Sequence, residues 1–167
     1  MASILKVDKL RQTGSTADGL IVDSSGRITT PARPAFYAYA DNGWSNLPNN
    51  TWTTGPFDHV RYNIGSYYDT TNYKFVAPVS GIYHFIGQAY FNPHTTLRLR
   101  FTINGVEKIF MKQKFDTAGM NLQINTHFQL TATDEVKFFV RADSGVNTGS
   151  DVYYGENHSF FSGYLVG

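Results

Sequence analysis

The stretch "FVAPVSGIYHF", residues 75–85, holds a proline, a glycine and three aromatic rings and carries no charged side chain. Pro78 has no N–H to give to a sheet ladder, so it marks a corner or an edge ahead of a strand that begins near Gly81. From there "GIYHFIGQAYF" (81–91) runs with the two-residue period of a β-strand between neighbours. Tyr83 and Phe85 share one face of it, and Ile82, His84 and Ile86 share the other.

The same period extends in both directions from this stretch. "AFYAYA" (35–40) sets Phe36 against Tyr37 and Tyr39, and "HTTLRLRFTI" alternates Leu97, Leu99, Phe101 and Ile103 before Asn104-Gly105, the strongest short hairpin signal in the chain. The return strand passes through Ile109 and Met111. A second hairpin places Leu122, Ile124, Thr126, Phe128 and Leu130 on one face, turns near Thr133-Asp134, and returns through Val136, Phe138 and Val140. "SFFSGYLVG" closes the chain as a strand. No long helical period is present, so the spacing of strands and polar turns predicts an all-β sandwich or barrel.

Two segments have a different texture. Residues 1–34 contain short β-prone pieces separated by polar turns and closed by Pro31 and Pro34, and they read as an arm or small hairpin. Asp23-Ser-Ser-Gly26 is a turn across which "LIV" (20–22) and "RIT" (27–29) can pair, Gly26 accepting a positive φ. The turn-rich loop "DNGWSNLPNNTWTTGP" (41–56) carries Trp44 and Trp52, which either plug one end of the core or form an exposed contact.

Composition narrows the chemistry. The chain has 167 residues, enough for one domain with a real core, and its net charge of +1 offers no field to gather nucleic acid or anionic lipid. No run approaches the roughly 18 apolar residues of a membrane span, so no membrane insertion is expected. With no cysteine, disulfides and thiolate chemistry are excluded. The opening "MASILKVDKLRQTGS" lacks a signal peptide's apolar segment, so synthesis in a cytoplasm and release by another route, such as lysis, is the expectation. The 13 Phe and 11 Tyr exceed what one core of this size needs, which points to a self-associating protein.

Catalytic motifs are missing. The five histidines (59, 84, 94, 127 and 158) lack the paired spacing of a helix-borne zinc site, and His84 and His127 read as structural strand residues. Ser162 lacks the glycine of a nucleophile elbow, and the glycines never form a phosphate cradle. Acidic residues at 132–135, 142–145 and 149–157 read as solvated turn acids or as hard oxygen ligands for calcium. No enzyme is expected.

Phe57, Asn63, Tyr68, Phe75, Gly81, Tyr83 and Phe85 are separated by five, four, six, five, one and one residues, and "FSGYL" (161–165) ends the chain. This spacing resembles the globular-head domain of the complement C1q family and its tumour-necrosis-factor relatives over residues 35–167. It departs only at Gly87, where the family pattern has an aromatic. The resemblance implies a C1q/TNF-like jelly-roll sandwich of about ten antiparallel strands that assembles as a homotrimer and binds rather than catalyses. It implies no cofactor for which ligands can be assigned here: several relatives hold calcium near one end, and no ligand set maps onto this chain. Tyr83, Phe85, Phe161 and Tyr164, in the motif strands, are the expected rings of the trimer interface or core.

"KVDKL … GLIVDSSGRI" is similar to the starts of tailed-bacteriophage particle proteins. It implies a virion-surface protein made in the host cytoplasm, most simply a capsid decoration protein. The alternative is a receptor- or glycan-binding tip of a tail or head fibre that touches a host cell-surface glycan or protein. In either case the arm would dock on a capsid or fibre protein through Ile4, Leu5, Val7, Leu10, Leu20, Ile21 and Val22, leaving Trp44 and Trp52 as an exposed contact.

Overall fold

The computed structural model describes residues 6–41, 44–91, 96–114, 120–143, 150–152 and 155–167, with backbone alone for 44–46, 150 and 151. A small meander comes first: β1 (Lys9–Leu10), β2 (Leu20–Val22) and β3 (Ile28–Thr29) form a three-stranded sheet. The jelly roll follows, with β4 (Ala35–Tyr39), β5 (Trp44–Leu47), β6 (Thr53–Thr54), β7 (His59–Ile64), β8 (Tyr68–Asp69), β9 (Lys74–Val76) and β10 (Gly81–Phe91). It continues through β11 (Thr96–Ile103), β12 (Val106–Lys114), β13 (Met120–Leu130), β14 (Glu135–Asp143), β15 (Ser150–Val152) and β16 (Phe160–Leu165). Every pairing is antiparallel, and no helix occurs among the described residues.

The jelly-roll strands divide between two sheets. One runs β5-β15-β10-β16-β4-β7 with β13 on the other edge of β10; the other runs β12-β11-β14-β9-β8 with β6 beside β14. The loop expected at 41–56 is therefore partly strand, because β5 pairs with β15 and β6 with β14. Two of the expected tight turns close hairpins: Asn104 and Gly105 take φ of 51° and 79°, as a two-residue hairpin requires, and Gly26 takes 77°. The second hairpin expected about Thr133-Asp134 does not form, because β13 pairs with β10 in one sheet and β14 with β11 in the other, so that turn carries the chain between sheets.

Each spaced family residue has a physical task. Asn63 locks the turn into β8, its Nδ2 donating to the Tyr68 carbonyl (2.9 Å) while its Oδ1 accepts from the Tyr68 N–H (3.1 Å). The buried Tyr68 hydroxyl donates to the Phe57 carbonyl (3.0 Å), and burial pushes its pKa up. Tyr83 caps the corner after Pro78, its hydroxyl donating to the Val79 carbonyl (2.8 Å). Between the sheets Phe36 stacks on Tyr68 (4.8 Å between ring centres) and Phe75 (5.1 Å) and meets Phe161 edge-on (4.9 Å). Such pairs add roughly 0.5–1.5 kcal/mol each beyond the area they bury.

The departure at Gly87 has a compensating partner. A Cβ built there would lie 2.4 Å from Cε2 of Phe138, so the Phe138 ring, reaching across from β14, occupies the space above the glycine. Phe138 in turn packs against Phe101 (5.3 Å) and Phe57 (5.8 Å). The core keeps its aromatic density while its source changes sheets. We expect Gly87→Ala to destabilise the fold by about 1–3 kcal/mol through overpacking, and the added substitution Phe138→Leu to recover part of that loss in denaturant titrations. A Gly87→Ala chain as stable as the parent would contradict this packing.

Candidate functional site

Strand parity builds two outer faces of opposite character. Inward positions of β10 and β16 hold Tyr83, Phe85, Ala89 and Phe161, all essentially without solvent exposure. Three of the four motif rings expected at the interface or core thus lie in the sandwich core, and only Tyr164, 44 % exposed, faces out. The cross-strand register then fixes which outward residues are neighbours. Ile64, Ala35, Tyr164, His84 and His127 form one row across β7, β4, β16, β10 and β13. Tyr62, Tyr37, Ser162, Ile86 and Asn125 form the next, followed by His59, Tyr39, Phe160, Gln88 and Gln123. Ile82 with Gln129 and Tyr90 with Asn121 extend it along β10 and β13.

None of these positions holds Asp, Glu, Lys or Arg. The face is instead a field of aromatic and aliphatic side chains bordered by amides, with Tyr37 stacked on Phe160 (4.9 Å between ring centres) and lying 6.2 Å from Tyr62. Charge enters at the β7 margin, where Arg61 pairs with Glu156 (3.1 Å) and lies over the Tyr37 ring, and where His59 Nδ1 stands 3.1 Å from Asp58. Asp58 raises the pKa of His59 through that contact. A dry middle with a charged rim is the anatomy of a protein–protein interface.

Near the middle, the His84 and His127 rings are 4.6 Å apart, and the Tyr164 ring stands edge-on to His84 at 5.3 Å. Burial, together with the neighbouring His127, pulls the His84 pKa down, so the imidazole stays neutral near pH 7.

The other sheet presents Arg98, Arg100, Lys112, Lys137, Arg141 and Asp143 outward, with Arg98 paired to Asp143 (2.7 Å) and Arg100 to Glu107 (3.2 Å). Trp52 belongs to this side. It is half-buried, with the Arg100 guanidinium 4.3 Å from its ring centre and that of Arg141 at 5.9 Å. Trp44 lies on β5, and its side chain is outside the described residues.

The arm residues separate in the same way. Ile4 and Leu5 lie outside the described residues. Val7 and Leu10 are exposed, as is Ile28, which the sequence did not single out. Leu20, Ile21 and Val22 form the middle strand, bonded to β1 on one side and β3 on the other. With both edges of β2 occupied, residues 20–22 offer no free edge for the strand addition expected of them. Among the described residues no group of three or more His, Asp or Glu is placed to hold a metal ion.

Residues 35–166 match the C1q domain family. The chain belongs to that family. Solved structures of the C1q and TNF type share its fold. The globular domain of zebrafish complement 1qA is 18 % identical, with a TM-score of 0.60 over 80 % of this chain and 98 % of that one. Murine APRIL at pH 5.0 is 12 % identical, with a TM-score of 0.62 over 80 % and 99 %. The Eiger TNF from S. frugiperda is 10 % identical, with a TM-score of 0.65 over 81 % and 94 %. A search of curated protein sequences finds no match.

The residues that sequence reasoning missed, Tyr37, Tyr62, Ile86, His84 and His127, carry the parity opposite to the motif. The alternation that put Tyr83 and Phe85 inside was itself the signal for them. If this face is covered by other copies, Ile86→Asp or Tyr62→Asp should weaken self-association by about a hundredfold or more, because an unpaired carboxylate would be buried. Lys112→Asp on the charged sheet should leave it unchanged. Sedimentation over a concentration series measures both, and an Ile86→Asp chain that associates like the parent would refute the assignment.

Proposed function

We propose that this chain is a non-enzymatic structural and binding protein that works as a homotrimer, with the uncharged face of the β7-β4-β16-β10-β13 sheet buried between copies. The observation that carries the reading is the charge asymmetry of the two faces. A monomer would expose a wide uncharged, aromatic-rich surface, which soluble proteins rarely leave open. Closed three-fold symmetry would cover it without open-ended growth, and the charged sheet would meet solvent.

The finer reading is a bacteriophage virion role, most simply capsid decoration, with residues 1–34 as the anchor. The opening segment's likeness to phage particle proteins supports it, and so does the arm's form. The arm is a small sheet of its own, stapled by Asp18, which accepts from Arg11 and pairs with Lys9 at 2.8 Å, and by Asp23, which accepts from the Ser25 and Arg27 N–H groups (2.9 Å each). It keeps apolar side chains outside, with Ile28 66 % exposed. The free edges of β1 and β3 can accept a strand from a partner sheet, giving main-chain bonds that need no special side chain. Three such arms on one trimer bind through effective concentration, so a weak single contact becomes durable.

The arm also approaches its own jelly roll. The Leu165 N–H donates to the Pro34 carbonyl (3.0 Å), and a cleft of about 310 Å³ lies among Gly19, Thr30, Pro34, Tyr67, Val79 and Leu165. Deleting residues 2–30 separates anchoring from mere closure of the base. The truncated chain should still form soluble trimers and should no longer mount on particles stripped of the native protein. Full occupancy by the truncated chain would move the mounting surface to the jelly roll, and label confined to the tail on intact particles would favour the fibre-tip alternative.

A further inference from the structure

His84 and His127 stand directly opposite each other on β10 and β13, near the middle of the uncharged face. Directly opposed residues on an antiparallel pair have Cβ atoms roughly 4.5–5.5 Å apart, close enough for both side chains to reach one small ligand. Here the ring centres are 4.6 Å apart. Two nitrogens on one tetrahedral zinc sit about 3.3 Å from each other, given metal–nitrogen bonds of about 2.0–2.1 Å.

A second observation concerns hydrogen bonding. His84 Nδ1 is buried and has no partner, although buried polar nitrogens almost always find one. A structural histidine pair would be expected to hold a carboxylate or carbonyl at that position. No acid stands among the outward neighbours, which are Ile82 and Ile86 on β10, Tyr164 on β16, and Asn125 and Gln129 on β13, and neither amide oxygen of the last two bonds His84 Nδ1. The cluster therefore has two imidazoles, an unspent ring nitrogen and no acid.

We propose that His84 and His127 form a bis-imidazole site for a borderline transition-metal ion of the Zn2+, Ni2+ or Cu2+ class. Nitrogen donors select these ions over calcium, which takes oxygen ligands. Two ligands leave coordination positions open. In the free chain water fills them; in the trimer the same pair on neighbouring copies is available, and that last clause alone rests on the self-association reading. The site would then tie metal loading to the middle of the uncharged face.

The test is calorimetric titration of the metal-free full-length chain with Zn2+, with Co2+ absorption to report nitrogen ligation. An outer-shell partner is already worth about 10–100-fold in metal affinity, so loss of a ligand in His84→Asn or His127→Asn should weaken binding at least about tenfold. His59→Asn, at the margin of the face, should bind as the parent does, and Ca2+ should not compete. In the Tyr62→Asp chain, where the face is opened far from the pair, Zn2+ binding should still depend on His127. No Zn2+ binding by the parent, or binding that persists unchanged in both single variants, overturns the proposal. A Tyr62→Asp chain that stays assembled counts against the self-association reading alone and leaves the histidine result to stand by itself.

Discussion

The two-residue alternation of Gly81–Phe91 constrains the rest of the molecule, because this strand bonds β13 along its whole length on one edge and β16 on the other. A slip of one residue would exchange Tyr83 and Phe85 for His84 and Ile86 in the core. Several contacts forbid that slip. Tyr83 is tied by its hydroxyl to Val79, and Gly163 lies opposite Phe85, where a Cβ would approach the Phe85 ring to 2.5 Å. Gly87 admits Phe138 from the facing sheet. The glycines and aromatics of the motif are thus a register device as much as a core, and the register settles the outer face at the same time.

That coupling explains how much could be read from the sequence. The inward rows, the Asn104-Gly105 turn and the hairpin at Asp23–Gly26 follow from local alternation and turn chemistry, and the structure places them accordingly. The division of strands between sheets was not legible, because β4 pairs with β16 across most of the chain and no local signal encodes that partnership. Of the motif rings that the sequence left open between interface and core, Tyr83, Phe85 and Phe161 face inward and only Tyr164 faces out. Short strands at β5 and β6 were hidden in a turn-rich segment because each is held by one neighbour and not by its own composition. In the arm, pairing of residues 20–22 was readable, while the capture of both their edges required knowing that Lys9–Leu10 folds back on them.

Charge divides the molecule more cleanly than hydropathy does. The overall balance of +1 conceals a sheet whose outer rows are uncharged and another whose outer rows hold paired arginines and lysines. Only the register, which brings Tyr37, Tyr62, Phe160 and Ile86 together from strands distant in sequence, makes that segregation visible. Many aromatic rings outside the core stand on the uncharged face, as Tyr37, Tyr39, Tyr62, Tyr90, Phe160 and Tyr164, while Phe110, Phe139 and Trp52 lie among the arginines of the other sheet.

Hydroxyl-radical footprinting of the assembled protein against the dissociated Tyr62→Asp chain bears most directly on which face is buried. The account predicts strong protection of Ile86, Tyr164 and Tyr37 on assembly, with Phe110 and Val106 on the charged sheet labelled equally in both states. Protection of Phe110 and Val106, with Ile86 and Tyr164 labelled as freely as in the dissociated chain, would contradict it.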